Sequence, residues 1–141
     1  IEDAGLIVID DGPDLVTLVR SLRKSPAMKA MSRAFEEGTT ILGLGAGASA
    51  LGAWVAGPGA EDGTLTRAEP GIGWLVNVVV APHFEGTRDA HRLRQLLELK
   101  QDCLGIGIPE GVGLGLGPAG EVENVGRGQV TVVVSGLEVE A

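Results

Sequence analysis

Thr39-Thr40-Ile41-Leu42-Gly43-Leu44-Gly45-Ala46-Gly47-Ala48 is the stretch on which the fold turns. Its first four residues are apolar or β-branched and read as a strand. Glycines then recur at every second position, and small residues follow into Ala50 to Val55, which is expected to be a helix. A strand passing through a sharp glycine turn into a helix is the geometry of a nucleophile elbow, where flanking residues must be small because the backbone folds tightly beneath the central residue. That central residue is Gly45, which has no side chain with which to attack.

Three other readings of the stretch stand beside this one. Gly43-x-Gly45-x-Gly47 could cradle a phosphate as a nucleotide-binding loop. Its third glycine comes one residue early for a dinucleotide loop, and no acidic residue about 20 positions on sits at a strand end. Ser49 could serve as an alternative nucleophile, although it falls inside the helix with its hydroxyl turned from the elbow tip. The plain alternative is a glycine turn that lets helix and sheet approach closely, and the stretch by itself favours that reading.

Outward from the elbow, strands alternate with helices. Leu6 to Ile9 reads as a strand that ends in the acidic turn Asp10-Asp11-Gly12-Pro13-Asp14. Leu15, Leu18, Val19 and Leu22 share one helical face. Ser25 and Pro26 are the cap and first turn of the next helix, which stops near Gly38. Gly57 to Glu69 is a loop. Leu75 to Val80 is a buried strand, Arg88 to Lys100 a helix with Leu93, Leu96, Leu97 and Leu99 as its apolar set, and Cys103 to Ile108 a strand. Val112 to Gly117 and Gln129 to Val134 follow as further strands. The pattern predicts a single α/β domain over 1–141, built on a mainly parallel sheet with some antiparallel pairing near the C-terminus.

The 141 residues suffice for one domain with a real core. A net charge of −8 argues against nucleic-acid binding, which needs clustered Lys and Arg. The lone Cys103 excludes an intrachain disulfide and a cysteine-based zinc site. No apolar run approaches the roughly 20 residues of a membrane helix. No cofactor, metal, nucleic-acid or membrane partner is expected, and a cytoplasmic location is. Asp10, Asp11 and Asp14 could hold a metal, but three acids in one turn without a second cluster read as a solvated turn. His83, at the end of a strong strand, is placed to act as a base. His91, among Arg88, Arg92 and Arg94, reads as a solvated helix residue. Glu110 also follows a strand and by itself reads as a turn residue.

Taken together and in order, these blocks resemble the cyanophycinase/dipeptidase E family of serine peptidases. That family shares a fold with class I glutamine amidotransferases. Its elbow, glycine-any-serine-alanine-glycine-alanine, is matched without a gap by Gly43 to Ala48 except at Gly45. Gly71-Ile72-Gly73-Trp74-Leu75, Val78-Val79-Val80, His83-Phe84, Gly105-Ile106-Gly107-Ile108, Glu110, Gly126, Gly128 and Val130 carry the rest, with Ala4 to Val8, Gly12, Leu18 to Leu22 and Pro26 upstream. The resemblance implies a three-layer sandwich with His83 as base, Glu110 as its orienting acid and Gly45 at the lost serine. It implies the backbone N–H groups of Ala46 and of Gly12 as oxyanion donors, and Arg92 as a substrate contact.

The departures gather at the chemistry. Gly45 replaces the serine; Ala81 and Pro82 replace an aspartate and a polar residue; position 87 is Thr, Asp89 stands where an arginine is usual, and Pro109 replaces an acid. The expectation is a catalytically inactive relative that binds a peptide or small ligand in a vestigial cleft. An active hydrolase of acidic peptides, using Ser49 or a water activated by His83, is the alternative. Because the family's first strands have no counterpart before Ile1, the domain reads as the C-terminal portion of a longer one. Its open sheet edge predicts a homo-oligomer or a further N-terminal segment.

Overall fold

In the computed structural model, which describes residues 1–12, 14–57, 62, 64–135 and 137–140, four helices and ten strands follow one another. Strand β1 (Leu6–Ile9) leads to α1 (Leu15–Lys24), α2 (Pro26–Glu36) and β2 (Thr40–Gly43). After α3 (Ala46–Ala50) come the short strands β3 (Trp54–Ala56) and β4 (Ala68–Pro70), then β5 (Val78–Pro82), α4 (Gly86–Leu99) and β6 (Leu104–Ile108). β7 (Val112–Leu116) and β8 (Val122–Gly126) form a hairpin, and β9 (Thr131–Val134) and β10 (Leu137–Glu140) close the chain.

The parallel pairs are the ones that lead to the candidate site. β1 lies beside β2, with Ile9 opposite Gly43, and β5 lies beside β6, with Pro82 opposite Ile108. β9 adds antiparallel to β6, and β10 to β9, giving the order β10-β9-β6-β5. The α/β class and the antiparallel closure near the C-terminus are as the sequence predicts.

The local chemistry explains the helix boundaries. Asp14 caps α1, its carboxylate accepting from Thr17 N–H at 3.2 Å and from the Thr17 hydroxyl at 2.8 Å. Ser25 caps α2, accepting from Ala27 N–H at 2.9 Å, with Pro26 in the first turn where its missing N–H costs nothing. The main core lies between α4 and the β5–β6–β9 sheet. Leu93, Leu96 and Leu97 pack with Val79, Phe84 and Val133. Gly105 is required there, since a Cβ on it would press within 3.0 Å of the Leu93 side chain.

Several local expectations are corrected. Ala50 to Val55 is not a helix: the helix starts earlier, at Ala46, and ends after five residues, and Trp54–Ala56 pairs as a strand with Ala68–Pro70. The valine-rich strand begins at Val78 rather than Leu75, because Asn77 turns the backbone to φ 55° just before it. Leu99 lies outside the apolar face of α4 and is 42% exposed. β8 carries Glu123 and Asn124 and a glycine, which hides its strand character in the sequence. Within the expected loop of Gly57 to Glu69, positions 58–61 and 63 lie outside the described residues, as does Pro13 of the acidic turn. No helix among the described residues is long and apolar enough to cross a membrane.

Candidate active site

Both parallel pairs deliver residues to their C-terminal ends, the edge at which open α/β sheets place ligands. Beyond the opposed Ile9 and Gly43, two residues further on each strand, stand Asp11 and Gly45. Beyond the opposed Pro82 and Ile108 stand His83 and Glu110. Register thus sets 11 across from 45, while 83 falls opposite 109, with Glu110 one residue further on.

The glycine turn between β2 and α3 is tight. Gly45 is held at φ 55°, ψ −120°, a conformation that a residue with a side chain seldom adopts. Leu44 N–H donates to the Ile9 carbonyl at 2.9 Å, and Gly47 N–H to the Leu44 carbonyl at 2.9 Å, which close the turn. The flanking glycines serve the close packing expected of such a turn. A Cβ on Gly43 would lie 2.7 Å from the Ala48 Cα, and one on Gly47 would overlap the Ile9 carbonyl oxygen.

His83 follows β5 in the left-handed region, at φ 52°, which turns its ring back over the strand end. Positive φ in a non-glycine residue is a local strain of the kind that gathers at functional sites. The neighbouring Phe84 anchors this turn, its N–H donating to the Ile108 carbonyl at 3.0 Å and its ring buried against Gly107. His83 Nδ1 meets Glu110 Oε2 at 2.7 Å. An ionised carboxylate only accepts, so Nδ1 carries the proton and Nε2 is left facing the elbow. The hydrogen bond to Glu110 raises the His83 pKa above its ordinary value; partial desolvation opposes this, and the charges of Glu110 and Asp11 add to it. His83 is 60% exposed and Glu110 84%, so water screens this pair.

Asp11 completes the group. Its Oδ1 accepts from Ala46 N–H at 2.8 Å and from Gly12 N–H at 3.0 Å, and its Oδ2 lies 3.8 Å from His83 Nε2. The hydrogen bonds from Ala46 and Gly12 lower its pKa, with the nearby His83 adding to the effect. The two backbone donors expected to hold an oxyanion thus converge, and both are spent on Asp11. The sequence reading placed Asp11 in a solvated turn. The signal that would have assigned it was the parallel pairing of the strands ending at Ile9 and Gly43.

The remaining candidates lie elsewhere. Ser49 is buried in α3 with its hydroxyl donated to the Val80 carbonyl at 2.9 Å. Ser49 and Arg92 both line a cavity of about 190 Å³ beneath the end of β5, with Leu15, Val55, Pro82 and Asp89. Asp89 also accepts from Glu85 N–H at 2.6 Å at the start of α4, a structural task that its place in the pocket did not suggest. His91 is exposed on α4 beside Gln95, as its setting among arginines suggests. Cys103 is buried in the core, and burial raises its thiol pKa.

Comparison with known proteins agrees with this architecture. Residues 1–117 match the model of peptidase family S51. Cyanophycinase of Synechococcus elongatus is 32% identical over 127 residues, covering 86% of this chain and 39% of its own. Cyanophycinase of Trichormus variabilis is 29% identical over the same length, covering 86% of this chain and 43% of its own. The crystal structure of a peptidase from an acI-B1 Actinobacterium superposes with a TM-score of 0.74 at 24% identity, over 99% of this chain and 61% of that one. The chain therefore spans about two fifths of the length of the curated relatives it matches.

Proposed function

This chain belongs to peptidase family S51, and from that premise we propose that it is a non-hydrolysing member whose site keeps the base and acid of a serine peptidase without the nucleophile. One observation carries the reading. Gly45 stands in an elbow conformation that would strain a residue with a side chain, at φ 55°, with His83 and Glu110 paired at 2.7 Å beyond the ends of β5 and β6. An elbow exists to present a side chain, and here there is none to present.

The chemical consequence is large. In a serine peptidase the hydroxyl attacks, the histidine takes its proton, and the acid holds the imidazole. Removing the nucleophile of such a triad costs on the order of 10⁶-fold in kcat. His83 could still hold a water, but a lone imidazole 60% exposed to solvent lacks the dry, pre-organised surroundings that make a base effective. Peptide or small-ligand binding along the strand ends is the function left to the scaffold. The exposed apolar side chains of β1 and β2 support the further reading that this pair is covered by a second copy or a further segment.

The test is hydrolysis of cyanophycin, the substrate in the relatives' name, and of a panel of acidic dipeptides. No turnover above the background rate is expected. Turnover that His83→Ala abolishes would sink the proposal.

A further inference from the structure

The seat of the missing nucleophile is filled from within the chain. A Cβ on Gly45 would lie 2.6 Å from Asp11 Oδ1 and 2.7 Å from Oδ2, so the carboxylate stands where a side chain at position 45 would begin. The same Oδ1 takes both converging backbone donors, Ala46 N–H at 2.8 Å and Gly12 N–H at 3.0 Å. Oδ2 faces His83 Nε2 at 3.8 Å.

One carboxylate thus overlaps three places at once: the start of the absent side chain, the oxyanion position, and the space in front of the base. That is where the carboxylate product of acyl hydrolysis rests, one oxygen in the hole and the other toward the histidine. A local turn habit accounts for only part of this. Aspartate commonly accepts from the next backbone N–H, which covers the Gly12 contact. It does not cover Ala46, which is 35 residues away along the chain.

We propose that Asp11 is a built-in product mimic, an autoinhibitory carboxylate that occupies the elbow in cis, and that Gly45 is the residue its presence requires. The proposal rests on reading the turn as a peptidase elbow without its nucleophile. It predicts that the two positions are coupled. A hydroxyl restored at position 45 competes with the Asp11 carboxylate for the same space and the same donors. Hydrogen bonds to an ionised group are the strong ones, so displacing two of them is a real barrier.

The experiment compares fluorophosphonate labelling of Gly45→Ser with that of Gly45→Ser/Asp11→Ala. In parallel, acetate is titrated into the unmodified protein and into Asp11→Ala while the Ala46 amide is followed by NMR. Asp11 is more than half exposed and in a turn, so Asp11→Ala is expected to fold, which the spectrum itself reports. The double variant is expected to label at least about tenfold faster than the single one, and acetate is expected to move the Ala46 amide only when Asp11 is absent. Labelling of both serine variants at the same measurable rate, or an Ala46 amide equally responsive or equally silent with and without Asp11, overturns the proposal. If neither serine variant labels while acetate still finds Ala46 only in Asp11→Ala, the occupied seat stands and the peptidase-elbow reading falls.

Discussion

His83 and Glu110 are carried by β5 and β6, whose surroundings are closed: Val79 is 2% exposed, Leu97 of α4 is wholly buried in the same core, and so is Val133 on the adjoining β9. Asp11 and Gly45 are carried by β1 and β2, which among the described residues pair only with each other and leave Leu6, Val8 and Leu42 at 52%, 48% and 43% exposure. Both pairs are parallel and both end in tight loops at the same functional edge. The difference lies in what stands behind them. The half with the base and the acid rests on a core of its own. The half with the elbow has a smaller core, in which Ala50 of α3 packs with Val19 and Val55, and α3 closes on β1 where Gly47 leaves no room for a Cβ beside the Ile9 carbonyl. On the proposed reading, a site built across such a boundary depends on the less supported side, which is the side that holds Gly45.

The largest effect expected from this contrast is on stability. Leu97→Ala removes a wholly buried side chain from beneath β5 and β6 and should cost about 2–5 kcal/mol. Leu42→Ala, on β2, trims a side chain that is already 43% exposed and should cost about 1 kcal/mol. Urea unfolding curves of the two variants measure the gap. Equal costs would mean that the elbow half is as well buried as the base half, and the comparison would collapse.

A smaller effect tests what holds the elbow. Gly47→Ala would drive a methyl group into the Ile9 carbonyl oxygen, a backbone atom that cannot rotate away. Overpacking of this kind costs about 1–3 kcal/mol. Gly5→Ala, in a position with open space around it, serves as the control for glycine substitution and is expected to change little. If both variants melt together, the glycines of the elbow are not packing residues.

The alternation of strands and helices, the cap at Ser25 with Pro26 after it, and the leucine face of α4 apart from Leu99 were legible because each is a local pattern; the cap at Asp14 was not, since its turn reads only as acidic. His83 was legible as a strand-end residue directly after an apolar run, whereas Glu110, one residue past Pro109, reads by itself as a turn residue and was assigned only through the family resemblance. Three further features were not legible. The helix after the elbow looks longer in the sequence than it is, because Ala50 to Val55 contains good helix formers and the pairing of Trp54–Ala56 with Ala68–Pro70 is a tertiary fact. β8 is exposed on every residue, and its two valines, Val122 and Val125, stand three apart, so it shows no alternation. The role of Asp11 depends on which strands are neighbours. Composition shows an acidic turn, and only the register of β1 against β2 turns one of its carboxylates toward Gly45.

The smallest expected effect is the most local, and it separates the two halves by pH. His83 is raised by Glu110, so its stabilising contribution is complete below the ordinary histidine pKa of about 6.5 and is lost as pH rises through the higher folded value. Asp11 is lowered by the Ala46 and Gly12 amides, so its contribution is present above the ordinary aspartate pKa of about 4 and is lost as pH falls through the lower folded value. The Asp11–His83 contact should therefore be strongest between those limits, with base and elbow linked only inside that window. Glu110→Gln removes the first cause of the His83 shift and should bring its titration midpoint down toward the ordinary value, and His91, exposed on α4, supplies a second set of ring protons. The chain has only these two histidines, so their ring protons can be followed separately by NMR. A His83 midpoint unmoved by Glu110→Gln would mean that the acid does not hold the base, and the better-packed half of the site would then have no more chemistry left in it than the elbow.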